Sequence, residues 1–277
     1  MIDDKLVSMV ERMPPFPESA HRLIQMTSDI DCQPKDLIET VGRDPVMTMK
    51  ILKLVNSAYF ALARHVSTLE HALVYLGMNT VKNLAISVAT MSGLPTWNLQ
   101  GFTTKGFLLH SVLTGRLAQL LTKRFGQGVD SSEAFVAGLL HDFGKAVFAH
   151  AVPDEYTSVL RLAAAESMAL DAAERQAFGF DHAEAGAKLA DHWHLPDKLV
   201  LAIARHHADQ VDDDMMIGLV MAANGLANRL VPGCSGNPVG AVLPASLVAR
   251  FGMDIEKLVA ELGDLESEVD KTRALLA

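Results

Sequence analysis

Apolar residues along the chain recur at steps of three and four, the spacing of one face of an α-helix. Between Thr104 and Phe125, His110, Leu113, Leu117, Leu120 and Leu121 form such a stripe, and His110 begins an inward-facing row. The next helix is expected over Ser132 to Ala149, with Gly138, His141, Asp142 and Lys145 on one face and Gly138 open to close approach by a neighbouring helix. Leu23, Ile24 and Met26 predict a helix over Ser19 to Thr27, and another is expected over Lys35 to Val41. A helix over Met215 to Leu230 carries Ile217, Val220, Met221 and Asn224, and Val200, Ile203 and His207 share the face of an earlier one.

Local signals bound these helices. Asp44 before Pro45 reads as an N-cap followed by a proline at the first helical position, where a missing N–H costs nothing. Asn56-Ser57-Ala58-Tyr59 closes that helix, since Asn and Ser side chains compete for backbone hydrogen bonds. Ser67 with Glu70 reads as a capping box, Gly77 as a stop, and Asn79 as the cap of the helix after it. Asp181 with Glu184 starts a helix at His182, Asp197 caps the helix that ends at His206-His207, and a final charged helix runs from about Asp254. Gly93, Pro95, Trp97 and Gly101 mark a passage between lobes. The expected division is residues 1–95, an amino-terminal helical lobe; 96–230, a second lobe; and 231–277, a carboxy-terminal helical extension.

Composition supports an all-α fold: 49% of residues are hydrophobic but 6% aromatic, with 13 Met among 277 residues. A net charge of -9 lacks the basic footprint that phosphate backbones require, so no nucleic-acid partner is expected. No apolar run approaches the roughly 18 residues of a membrane span, and the start, Met-Ile-Asp-Asp-Lys, is acidic; neither secretion nor membrane insertion is expected. Cys32 and Cys234 form no Cys-x-x-Cys pair, which predicts reduced thiols and a cytoplasmic location.

His110, His141, Asp142, His182, His206 and His207 fall on helix starts, helix ends and inward stripes, where they could converge. Imidazoles with a carboxylate suit a divalent transition metal such as Fe, Mn, Zn or Ni, and a metal with open positions can generate a hydroxide that attacks a phosphate ester. Lys145, one turn after His141, would meet phosphate charge. Singly, each residue also fits a plainer role: a core histidine, a capping aspartate, or histidines drawn to the negative end of a helix.

The run Gly138-Leu139-Leu140-His141-Asp142-Phe143-Gly144-Lys145 resembles the signature of the HD superfamily of metal-dependent phosphohydrolases. Pro15-Phe16-Pro17, Asp44-Pro45-Val46 through Tyr59, Leu76-Gly77-Met78 through Leu84, Phe178 through Gly186, Trp193-His194-Leu195-Pro196 and His206-His207 resemble HDOD domains over about Pro15 to Ala208. The resemblance implies an amino-terminal helical bundle packed on an HD-like lobe, and a role in bacterial signalling. By comparison with the related HD-GYP enzymes it makes the five histidines and Asp142 metal ligands and Lys145 a phosphate contact. It also exposes two departures: Gly106 stands where a Glu is expected four residues before His110, and Asn224 stands in place of the expected Asp. Asn224 brings no negative charge to balance a second divalent cation. The segment Ala208 to Asp214 contains no Gly-Tyr-Pro element, so cyclic di-GMP hydrolysis is unsupported. The resemblance therefore implies a regulatory protein that binds a signalling partner or a small phosphorylated ligand through a degenerate HD site. The alternative is a metal-dependent phosphohydrolase acting on a nucleotide or other phosphoester, and a third reading is a metal-free scaffold.

Overall fold

The computed structural model describes residues 2–26, 29, 31–56, 60, 62, 64–208, 214–240 and 242–276. Its helices are, in order, α1 (Ile2–Glu11), α2 (Glu18–Gln25), α3 (Pro34–Gly42), α4 (Pro45–Val55), α5 (Leu69–Leu76) and α6 (Met78–Ser92), followed after a small hairpin by α7 (Thr104–Phe125), α8 (Ser131–Leu140), α9 (Phe143–Ala151), α10 (Pro153–Glu166), α11 (Leu170–Phe178), α12 (His182–His192), α13 (Asp197–Arg205), α14 (Met215–Leu230), α15 (Ala245–Phe251), α16 (Ile255–Leu262) and α17 (Leu265–Leu275). The fold is all-α. The hairpin joins β1 (Asn98–Leu99) to antiparallel β2 (Phe102–Thr103), and its two turn residues, Gln100 and Gly101, have φ of 53° and 92°. Positive φ at both central positions is what a two-residue hairpin turn requires.

The chain forms two compact units: Met1–Met13 with Pro95–Val269, and Pro14–Leu94 with Asp270–Ala277. This differs from a linear division into 1–95, 96–230 and 231–277. Helix α1 packs on α9 and α12 within the larger unit, through the buried residues Leu6, Met9 and Val10. Residues 231–269 belong to that unit as well, and the division falls inside α17.

In the smaller unit, α6 packs against α2, α4 and α5. Asp44 caps α4 by accepting from the backbone N–H of Val46 and Met47 at 3.0 Å each. Asn56 ends the same helix: its amide donates to the carbonyls of Leu52 and Val66 and accepts from Val66 N–H, which draws the chain out of helical register. Ser57, Ala58 and Tyr59 of the expected closing segment, and Thr27 at the end of the first expected helix, lie outside the described residues. The cap of α5 is Thr68 rather than Ser67, its hydroxyl accepting from His71 N–H. Gly77, at φ 79°, serves both as the stop of α5 and as the N-cap of α6, so Asn79 lies inside the first turn of α6.

The larger unit is built on two close crossings. Helix α7 packs on α8 and α14, and α9 packs on α12. At the first crossing, a Cβ added to Gly138 would lie 2.8 Å from Gly115 Cα. At the second, one added to Gly144 would lie 1.9 Å from the His182 carbonyl oxygen and 2.6 Å from Gly186 N. Neither space admits a side chain, so these glycines set how near the site-bearing helices come. The helix expected over Ser132 to Ala149 is broken: α8 ends at Leu140, His141 and Asp142 form the bend, and α9 starts at Phe143. Helix α13 is capped by Pro196 instead of Asp197, and its buried face is Leu199, Ala202, Ile203 and His206 rather than one through Val200. The single helix expected from Asp254 is two, α16 and α17, separated at Gly263 with φ 80°.

Candidate metal centre

Three helix junctions and the interior of a fourth segment, α7, deliver the site. His110 comes from the middle of α7, and His141 and Asp142 from the bend between α8 and α9. His182 opens α12, where Asp181 accepts from Glu184 N–H and the Glu184 carboxylate accepts from Asp181 N–H, the reciprocal cap expected from the sequence. His206 and His207 follow the last turn of α13. All six side chains converge. His110, His141 and Asp142 have no exposed surface, His182 and His206 almost none, and His207 is half-buried.

Asp142 is the hub. Its Oδ1 lies 3.4 Å from His141 Nε2, 3.3 Å from His182 Nε2 and 3.5 Å from His206 Nε2, while Oδ2 lies 3.3 Å from His110 Nε2. Two ligand sets share it: His110, His141 and Asp142, and Asp142, His182, His206 and His207.

The ring orientations are those of a ligand shell. Nδ1 of His141 donates to the Gly138 carbonyl at 2.7 Å, and Nδ1 of His206 donates to the Ile203 carbonyl at 2.6 Å. Nδ1 of His182 meets Glu174 Oε2 at 2.5 Å. With Nδ1–H committed outward, each Nε2 lone pair points inward. The Nε2 atoms of His182 and His207 face each other at 2.8 Å, and those of His110 and His141 at 3.4 Å. Each facing pair needs a proton or a cation to join it. His206 Nε2 and Asp142 Oδ1 are buried without a hydrogen-bond partner, an arrangement that costs free energy unless a cation completes it. By the chemistry of these donors, the buried cluster can hold a metal.

Electrostatics agree. Burial holds His110 below the ordinary imidazole range and His141 and His207 well below it, which keeps them neutral, the state in which imidazole ligates. Burial alone would raise Asp142, but the neighbouring His141 imidazole, the Lys145 ammonium and the close approach of His110 and His182 outweigh it and hold the carboxyl well below its usual value. Burial likewise opposes protonation of His182, yet the Glu174 carboxylate beside it raises that imidazole to about 9. Without a metal, His182 therefore adds positive charge to the cluster beside that of Lys145.

Lys145 is buried and committed to the protein: Nζ donates to Asp142 Oδ2 at 2.6 Å and to the Ser235 carbonyl at 3.1 Å. Asn224 lies beside His110, and its Oδ1 accepts from Asn228 at 2.8 Å. At Gly106, where the resemblance expects a Glu, an added Cβ would sit 3.6 Å from the backbone of Cys234. The loop passing there at ordinary contact distance presents the Ser235 carbonyl to Lys145.

Sequence reasoning missed Glu174, which also accepts from His182 N–H at 2.8 Å and from the Tyr156 hydroxyl at 2.9 Å. The signal was there: Leu170, Ala173, Glu174 and Phe178 form the buried stripe of α11, so Glu174 is a carboxylate on an apolar face. Asn228 was missed too, although it lies one turn after Asn224 on α14, and Ser235 was missed because a loop contact leaves no periodic trace.

The HDOD domain family matches residues 13–209. The chain belongs to the HDOD domain family. An uncharacterized protein of Treponema pallidum (strain Nichols) is 25% identical to this HDOD chain over 253 residues, covering 90% of the chain and 48% of the relative. The chain thus spans about half the length of that curated relative. Among solved structures, a candidate signal transduction protein of Marinobacter aquaeolei VT8 superposes with a TM-score of 0.82 at 23% identity, covering 99% of this chain and 65% of the other. A candidate phosphohydrolase of Shewanella amazonensis SB2B superposes with a TM-score of 0.75 at 24% identity, covering 98% of each chain. Both show the shared HDOD fold. The matched span holds all five converging histidines and Asp142, while Asn224, Asn228 and Ser235 lie beyond it. Residues 209–213, where no Gly-Tyr-Pro element occurs, lie outside the described residues. No helix among the described residues is long and apolar enough to cross a membrane.

Proposed function

We propose that this HDOD chain is a regulatory module that holds one divalent transition metal and uses the centre to bind a ligand or a signalling partner, without efficient phosphoester turnover. The observation that carries the reading is the state of Lys145. A lysine poised for substrate phosphate needs a free ammonium, whereas this one is buried between Asp142 and the Ser235 carbonyl. Gly106 and Asn224 bring no negative charge to the site. The cluster therefore holds one carboxylate among its direct ligands, already shared with a lysine, where a two-metal hydrolytic centre needs several anionic bridges to balance its charge. Iron, manganese, zinc and nickel all suit an imidazole-rich set with one carboxylate.

The alternative, a metal-dependent phosphohydrolase acting on a nucleotide or other phosphoester, draws on the same ligands and on the fold shared with the Shewanella protein. Elemental analysis of untagged protein, run beside a phosphoesterase panel with added Mn, Fe, Mg and Zn, separates the two. One metal per chain without turnover is expected. Robust metal-dependent turnover overturns the regulatory reading, and the absence of both metal and turnover leaves a scaffold. Asn224→Asp is expected to raise the metal content towards two per chain without creating activity.

A further inference from the structure

Over His206 and His207 lies a cavity of about 370 Å³, at the small end of the range for small-molecule sites. Its described lining contains no lysine or arginine. The one carboxylate among the described lining residues, Asp171, is paired with Arg175 at 3.0 Å. Such a wall gives a phosphate dianion none of the charge-assisted donors that recognise it.

The wall does offer amides. Asn228 and Asn237 line the cavity with their oxygens tied back into the protein: Asn228 Oδ1 accepts from the Ser235 hydroxyl at 2.6 Å, and Asn237 Oδ1 accepts from Leu170 N–H at 3.3 Å. Asn228 spends one N–H on Asn224. Its second N–H and both of Asn237 have no protein acceptor among the described residues, so the amides present donors. Met221 and Leu243 supply apolar surface in the same cavity.

We propose that this cavity takes a small organic monocarboxylate with an apolar body, its carboxylate accepting from the amides of Asn228 and Asn237 on the side of His206 and His207. The proposal rests on the one-metal reading above. Nothing in it requires turnover, and the carboxylate serves as the signal that the regulatory site detects.

Three probes with one apolar body and different heads test it: benzoate, benzamide and phenyl phosphate, titrated calorimetrically into the full chain after its metal content has been measured. Benzoate is expected to bind at least about 10-fold more tightly than either of the others. Asn228→Asp and Asn237→Asp keep the side-chain shape but replace donors with negative charge, and each is expected to weaken benzoate by about 10-fold or more at unchanged metal content. Using both protects the test against one variant that does not fold. Phenyl phosphate binding best, no probe binding to chain that holds one metal, or benzoate affinity unmoved in folded variants would each overturn the ligand class and leave the one-metal reading standing. Two metals per chain, or hydrolysis of phenyl phosphate, would instead remove that reading.

Discussion

At the scale of single residues, the centre depends on groups that touch no metal. Glu174 fixes His182 through both its ring and its backbone N–H and is itself held by Tyr156. A carboxylate behind a ligating histidine orients the ring and increases its basicity, and losing such a partner typically costs metal affinity about 10- to 100-fold. Glu174→Gln is expected to lower affinity within that range in a competition titration against a metal buffer, with the helical circular dichroism spectrum retained. Affinity unchanged within about twofold would show that His182 is oriented by its helix alone. The histidines and Asp142 were legible as a set because their spacing resembles that of HD-type proteins, since helix-end or inward-stripe positions alone also suit plain core and capping roles. Glu174 was legible in principle, as a charge on an apolar stripe. The Ser235 carbonyl was not, since a backbone atom in a Gly/Pro-rich loop carries no signature of its own.

At the scale of elements, the helices were readable and several ends were not. Asp44 and Asp181 cap where their chemistry suggests, but Ser67, Asn79 and Asp197 lie one or two residues from the true cap, because nearby Thr68, Gly77 and Pro196 satisfy or relax the same backbone groups. The larger difference is the bend at His141-Asp142. Periodicity runs unbroken across it, and only packing of α12 against Gly144 shows why the chain must turn there. That crossing gives a test. In Gly144→Ala the new methyl would meet the His182 carbonyl at 1.9 Å, so α12 must move away from α9. Overpacking of this kind typically costs about 1–3 kcal/mol, and here it displaces a ligand as well. Denaturant unfolding should show the loss of stability and elemental analysis a loss of metal. Gly42→Ala, where an added Cβ meets nothing within 4 Å, is the control and is expected to stay within about 0.5 kcal/mol of the parent. Equal effects from the two variants would mean that the close crossing does not hold the centre.

At the scale of the whole molecule, the centre ties together segments far apart in the chain, from His110 on α7 to His207 after α13, and Lys145 extends that tie to the loop at Ser235. An unfolded chain cannot present this set, so metal binding adds directly to the stability of the unit that contains it. At free metal about 100-fold above Kd the gain is about 2.7 kcal/mol. For a body of this size each kcal/mol moves the melting midpoint by about 2–4 °C, so chelation is expected to lower it by about 5–10 °C. The chain provides its own reporter: both tryptophans, Trp97 and Trp193, belong to the unit of Pro95–Val269 that carries the cluster. Tryptophan fluorescence melting therefore follows the metal-bearing unit even if the other unit unfolds separately. A drop reversed by adding back one equivalent of metal supports a built-in metal. A midpoint that ignores both chelator and added metal would mean that no resident metal stabilises the unit, and that positive charge at the cluster comes from the protein, from Lys145 on Asp142 and from His182 raised by Glu174.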